Sequence, residues 1–263
     1  MLTGQQPLAL RLRADQTFDS FISPPGTAAA RARLLAQALS SGRERTPLYL
    51  WGPPACGKTH LLTAAVAVAA AHGLRSAYLP LRELGAAGLA DAVSAFEQFA
   101  LVCVDDLDAI VGDEPAELAL FHLSDRLRAS GGRIIVTGSA TPTGLGLRRP
   151  ELKSRLGWGV SCRLEALADA DKRALLLRRA ADQGLSLGEP VADYLLRHHS
   201  RDLHDLLATL DRLDKATLAA QRHPTLPFVR ELLGAIETES SRTETVERAK
   251  AAASEPAEPT AGA

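Results

Sequence analysis

Cysteine, methionine and aromatic residues are all scarce in this chain: three Cys, one Met and 4% aromatics in 263 residues. Cys56, Cys103 and Cys162 are odd in number, widely spaced and set in apolar or loop surroundings. That excludes a disulfide framework and a cysteine-built zinc site, and reads as reduced thiols in a cytoplasmic protein. No apolar run approaches the roughly 18 residues that a membrane span requires. The start lacks a basic segment followed by a continuous apolar one, so neither a membrane partner nor a secretory signal is expected. Formal net charge is −1, which leaves no overall basic footprint for nucleic acid. Arginine far outnumbers lysine, a bias best explained by a GC-rich coding sequence. What is abundant is apolar aliphatic material, 46% of the chain with the aromatics and cysteines included, ample for one large domain or two small ones.

Short apolar runs alternate with longer helical patterns through the first two thirds, which predicts a parallel sheet covered by helices. Strands are expected at Leu48–Trp51, Ser76–Leu79, Leu101–Val104, Arg133–Thr137 and Val160–Leu164. Between them, Lys58–Ala71, Ala87–Phe99 and Pro115–Ala129 carry apolar residues at helical spacing. After Leu164 the strand pattern stops, and Asp169–Gln183, Pro190–His199, Leu203–Gln221 and Pro227–Ile236 all read as helices of a small bundle. Beyond Ile236 six glutamates and three basic residues sit among Ser, Thr, Ala and Pro, a composition expected to stay disordered. No internal repeat is present.

Gly52–Pro53–Pro54–Ala55–Cys56–Gly57–Lys58–Thr59 fits the pattern G-x-x-x-x-G-K-[ST], between the apolar run PLYLW and the helical run HLLTAAVAVAAA that begins at His60. Such a loop turns backbone N–H groups toward a phosphate at a helix N-terminus. Lys58 adds a mobile positive charge for the β- and γ-phosphates, and the Thr59 hydroxyl a ligand for Mg. The strand LVCVDD ends in Asp105, placed to hold Mg, with Asp106 beside it to orient an attacking water. RIIVTGS is a further strand ending in small polar residues; lying between those two strands, it would turn Thr137 or Ser139 to the γ-phosphate. The sequence PELKSRLGWG precedes the last strand. Arg155 there is either an arginine projecting to a neighbour's triphosphate or a basic residue near the last carbonyls of a helix, with Gly157 as the residue that ends it. Spacing alone leaves both readings open.

In that order and spacing, TFDSF, WGPPACGKTHLLTAA, LVCVDDLDAI, RIIVTGSATP and LKSRLGWG resemble the DnaA branch of the AAA+ ATPases over roughly residues 5–235. The resemblance implies an α/β fold: an AAA+ P-loop parallel five-stranded sheet sandwiched by helices, followed by a small all-α lid domain. The separate N-terminal domain and the C-terminal DNA-reading domain of an initiator are not in the pattern. Together with TLDRLDKATLAAQR and TLPFVRELL, this is similar to the Hda family of regulatory inactivators of DnaA. The implied domains are 1–16, an N-terminal clamp-docking peptide; 17–164, the nucleotide-binding domain; 165–236, the lid; and 237–263, the acidic tail.

The resemblance further implies ADP or ATP with Mg as cofactors, held by residues 52–60, including His60, and by Asp105, Ser139 in the sensor-1 place and His204 in the sensor-2 place. The family usually has arginine where His204 stands, and Arg201 lies three residues earlier. Thr27 occupies the place of an asparagine near the adenine. Arg155 matches the arginine finger, acting in trans on ATP bound by DnaA. The opening residues GQQPLALRL match a peptide that docks on the DNA polymerase III sliding clamp (its beta subunit), and through it on DNA. Gln5 would enter a polar subsite, and Leu8 and Leu10 an apolar one; Gln6 departs from the family's leucine. The implied function is negative regulation of replication initiation. The alternative is an AAA+ enzyme hydrolysing its own ATP as a helicase loader or remodeller, with Arg155 serving a homo-oligomer. A P-loop small-molecule kinase is disfavoured by the helical bundle and LKSRLGWG.

Overall fold

The computed structural model describes residues 16–39, 46–198 and 202–234. It divides into two units, one up to Ala168 and one from Asp169 onward.

Five strands form the first unit's sheet: β1 (Leu48–Trp51), β2 (Ser76–Pro80), β3 (Leu101–Asp105), β4 (Arg133–Gly138) and β5 (Val160–Arg163). Their order is β2-β3-β4-β1-β5, and every pairing is parallel. All-parallel sheets bury both faces, which is why the central strands read as continuous apolar runs without alternation. The two faces still separate by residue parity. Tyr49, Val102, Val104, Ile134 and Val136 pack into one core with α3 (Leu81–Phe96), α4 (Glu114–Ser130) and α5 (Pro150–Gly157). Leu48, Leu50, Leu101, Cys103 and Ile135 pack into the other with α1 (Ala28–Leu39) and α2 (Lys58–Ala71). Successive residues of a strand point to opposite faces, so one apolar run serves two layers.

The five expected strands are found, each within one residue of its predicted bounds. α1 carries no prediction; its sequence AAARARLLAQAL shows an apolar stripe too weak against alanine, yet Ala30, Leu34 and Ala38 are buried. α3 starts earlier than predicted because two helical pieces meet at Gly85. That glycine has φ 62° and ψ −174°, a conformation glycine alone adopts cheaply, so it breaks the hydrogen-bond ladder without ending the helical course.

The second unit is helical: α6 (Asp169–Asp182), α7 (Glu189–His198), α8 (Leu203–Ala220) and α9 (226–234). Leu176, Leu195, Leu206, Leu210, Leu213 and Val229 form its core, a small bundle burying one stripe per helix. Among the described residues no helix is long and apolar enough to cross a membrane.

Candidate functional site

β4 lies between β1 and β3, so the C-terminal ends of the two motif-bearing strands flank one strand. In open parallel sheets ligands bind in the crevice outside those ends. β1 delivers the chain into the loop Gly52–Gly57, and α2 begins at Lys58. The loop curls through two left-handed residues, Ala55 (φ 58°) and Gly57 (φ 92°). At Gly52 an added Cβ would stand 2.4 Å from the Leu164 carbonyl, and at Gly57 2.5 Å from the Phe21 ring. Both glycines are therefore demanded by space, and Gly57 by backbone sign as well.

Gly57 offers no side chain to the first N–H groups of α2. With no N-cap side chain on them, they face the loop's concavity as donors for an anion, and the helix dipole points the same way. Lys58 Nζ donates to the carbonyls of Gly52 and Pro53, each at 2.8 Å, and reaches Cys56 Sγ at 3.8 Å. Burial pushes the Cys56 thiol above its ordinary value, against the opposing pull of the Lys58 charge. Pro53, Pro54 and Ala55 are exposed.

Asp105, at the end of β3, is 2% exposed and accepts three hydroxyl hydrogen bonds. Thr59 Oγ1 and Tyr78 OH donate to its Oδ2 at 2.6 and 2.7 Å, and Thr137 Oγ1 donates to Oδ1. Burial, then the Asp105 charge, raises the Tyr78 phenol well above its usual range and keeps it a donor. Thr137 also accepts from the backbone N–H of Asp106 at 3.0 Å. Asp106 itself is left-handed (φ 58°), and its carboxylate receives the Arg82 Nε at 3.1 Å. Ser139, just past β4, gives both its N–H (2.9 Å) and its hydroxyl to Asp108. Tyr49 OH donates to the Ala140 carbonyl at 2.8 Å and pins the same turn.

The TFDSF segment is strapped across the first turn of α2. His60 Nε2 meets the Thr17 carbonyl at 2.8 Å, its ring stands edge-on to Phe21, and Thr63 Oγ1 donates to Gln16. Thr27 is wholly buried, and its hydroxyl has no hydrogen-bond partner among the described residues.

Arg155 occupies the last turn of α5, and its side chain is 17% exposed. Its guanidinium donates to Asp125 of α4 and lies 5.8 Å from the Phe121 ring centroid. Gly157 is the last helical residue, not a left-handed stop after it; the terminal residue is Trp158 (φ −71°, ψ −20°). A buried carboxylate holds the approach to α5: Glu117 accepts from the N–H groups of Gly112, Arg148 and Arg149.

The structure thus brings residues 52–59, Asp105, Asp106 and Thr137 to one end of the sheet. It places the His60 ring against the strap and Ser139 against Asp108. Gln5, Leu8, Leu10 and Arg201 lie outside the described residues, as does the side chain of His204. Tyr78, Arg82, Asp108, Glu117 and Asp125 were not picked out from sequence. Each acts through a partner at least five and mostly about thirty positions away, and no local pattern marks such pairs.

Residues present fit a nucleotide phosphate on three observations: uncapped helical N–H groups, a lysine parked on loop carbonyls, and glycines that no side chain could replace. When bound, the nucleotide would be held by the loop and Lys58, and Mg by Thr59 and Asp105.

Comparison with known proteins agrees. The bacterial DnaA ATPase domain family matches residues 12–163. The Hda lid domain family matches residues 169–233. Among solved structures, domain III of the Thermotoga maritima replication initiation protein DnaA superposes with a TM-score of 0.74 at 22% identity, covering 85% of this chain and 97% of that one. AMPPCP-bound DnaA from Aquifex aeolicus gives 0.65 at 23% identity, over 77% and 66% of the two chains. The Thermotoga maritima RuvB branch-migration motor gives 0.64 at 16%, over 85% and 72%. Identities this low establish the shared fold, while the two family matches go further. This chain belongs to the DnaA-type AAA+ ATPase family and joins that ATPase domain to the lid domain of the Hda branch.

Proposed function

We propose that this Hda-family regulator is a nucleotide-bound adaptor, charged in the cell with ADP, that docks on the DNA-loaded sliding clamp and stimulates hydrolysis of ATP on DnaA through Arg155. The observation that carries this reading is the setting of Arg155. Its charge is paired with Asp125 on α4, not with the groups around Lys58. A guanidinium stored on a neighbouring helix can exchange one carboxylate for a partner's triphosphate, where it neutralises charge developing in the transition state. The setting of Asp106 supports a quiet site in this chain: the group expected to orient water is tied to Arg82. The nucleotide held by Lys58 then serves conformation more than turnover.

Clamp docking rests on GQQPLALRL, with Gln5, Leu8 and Leu10 as the residues that engage it. The experiment follows the nucleotide on DnaA with and without this protein, clamp and DNA. Conversion of ATP to ADP on DnaA is expected only with all components. Equal conversion without clamp would sink the adaptor mechanism. Arg155→Ala is expected to keep nucleotide and clamp binding and to abolish conversion, whereas Gln5→Ala is expected to lose the clamp.

A further inference from the structure

We infer that Trp158 is the anchor by which a nucleotide-bound AAA+ module of the DnaA type is held against α5, an inference that rests on the trans-acting reading of Arg155. Trp158 is 81% exposed although its chain neighbours Leu152 and Leu156 are wholly buried. Tryptophan is the side chain whose burial most often dominates an interface, and it is rarely left this open. Its place is set by the helix: the backbone N–H donates to the Ser154 carbonyl at 2.9 Å, so the indole sits on the end of a regular turn.

It lies three positions after Arg155, about 4.5 Å along a helix axis. A partner close enough for its phosphate to meet the Arg155 guanidinium is therefore close enough to cover the indole. Gly157, between them, is exposed and helical, and an added Cβ there would meet nothing within 4 Å. The fold makes no demand for glycine at that position, where alanine would favour the helix. A bare backbone lets a second surface approach the turn closely.

The occupant is identified by charge. Residues 148–163 carry Arg148, Arg149, Lys153, Arg155 and Arg163 against Glu151, and with Asp125 of α4 paired to Arg155 a local excess of cation remains in a chain of net charge −1. Such a surface fits the triphosphate-bearing edge of a partner. The lid places this chain among regulators of DnaA, so that edge is assigned to DnaA, with a second copy as an outcome of the test.

The division of labour follows: Trp158 supplies affinity and Arg155 the rate. The wild type, Trp158→Ala and Arg155→Ala are titrated against ATP-loaded DnaA with clamp on DNA, and conversion to ADP is followed. Trp158→Ala is expected to need about tenfold or more protein for half-maximal stimulation while reaching the wild-type plateau. Arg155→Ala is expected to lose the plateau. Being exposed, Trp158 should leave the melting temperature unchanged on truncation, and Trp158→Tyr should recover part of the affinity. In a Trp51→Phe background, Trp158 is the sole tryptophan and its emission should shift to the blue on adding ATP–DnaA. A wild-type half-point for Trp158→Ala beside an inactive Arg155→Ala overturns the anchor and leaves the finger standing. A fully active Arg155→Ala overturns the trans-acting reading, and the anchor with it. Self-association lost in Trp158→Ala with an unchanged response to DnaA assigns the indole to a second copy, which also overturns the inference.

Discussion

Lys58 makes two hydrogen bonds to carbonyls of its own loop, and those are the contacts a phosphate displaces. A charge-assisted hydrogen bond contributes roughly 1.5–3 kcal/mol, so Lys58→Ala should weaken nucleotide binding by about one to two orders of magnitude. Titration with a fluorescent nucleotide measures it; wild-type affinity would remove the loop from the binding reading. Lys58, Thr59 and Asp105 were legible from sequence because their geometry is set within a few residues of a strand end. Tyr78 and Asp125 act through partners 27 and 30 positions away. Their chemistry was visible only once β2 stood beside β3 and α4 beside α5. Thr137 was legible as a polar strand end, whereas its bond to Asp105 was not. Ser139 shows the converse: its position past β4 follows from the motif, whereas its bond to Asp108 depends on the turn after β3.

α5, the helix that bears Arg155, is short, and its entry is held by one buried carboxylate. Glu117 is wholly buried and accepts three backbone N–H groups, at 2.9, 3.2 and 2.8 Å, two of them from the residues leading into α5. Glu117→Gln replaces one acceptor oxygen by a donor facing a donor. It should cost about 1.5–3 kcal/mol of stability and loosen Arg148–Arg149. Denaturant unfolding measures the first effect, and a loss of stimulation with nucleotide affinity retained reports the second. An unchanged midpoint would show that these donors find other acceptors. At this scale the sequence predicts strands better than helix limits. A buried parallel strand is an apolar run with sharp ends, as Leu101–Asp105 shows. Helix α3 reads as starting late because Gly85 interrupts its period, and α1 escapes notice because alanine blurs its buried stripe.

Across the whole nucleotide-binding unit, ionisable groups buried in neutral form set a limit at alkaline pH. Tyr49 and Tyr78 are raised above their ordinary value chiefly by burial, and Asp108 and Asp105 add to it. Cys103, wholly buried, is raised for the same reasons, and Cys56 and Cys162 are raised by burial. Each of these groups holds its proton more tightly in the folded state than in the unfolded chain, where thiols release near pH 8.5 and phenols near pH 10. Above those values the unfolded state has fewer bound protons than the native state, so the slope of unfolding free energy with pH is negative. The contribution is fully present at neutral pH and is lost as pH rises toward the folded values. Unfolding free energy measured in denaturant should therefore be flat between about pH 7 and 8 and fall steadily from about pH 9 upward. Each group adds up to about 1.4 kcal/mol per pH unit once its unfolded counterpart is ionised. Phenolate absorbance distinguishes the cause, since Tyr49 and Tyr78 should ionise together with loss of structure and not before it. Tyr78→Phe removes one ionising group and should make the alkaline slope shallower. A stability that stays level to pH 10.5, or phenolate absorbance from Tyr78 in the folded protein, would show that burial does not hold these groups in their neutral form.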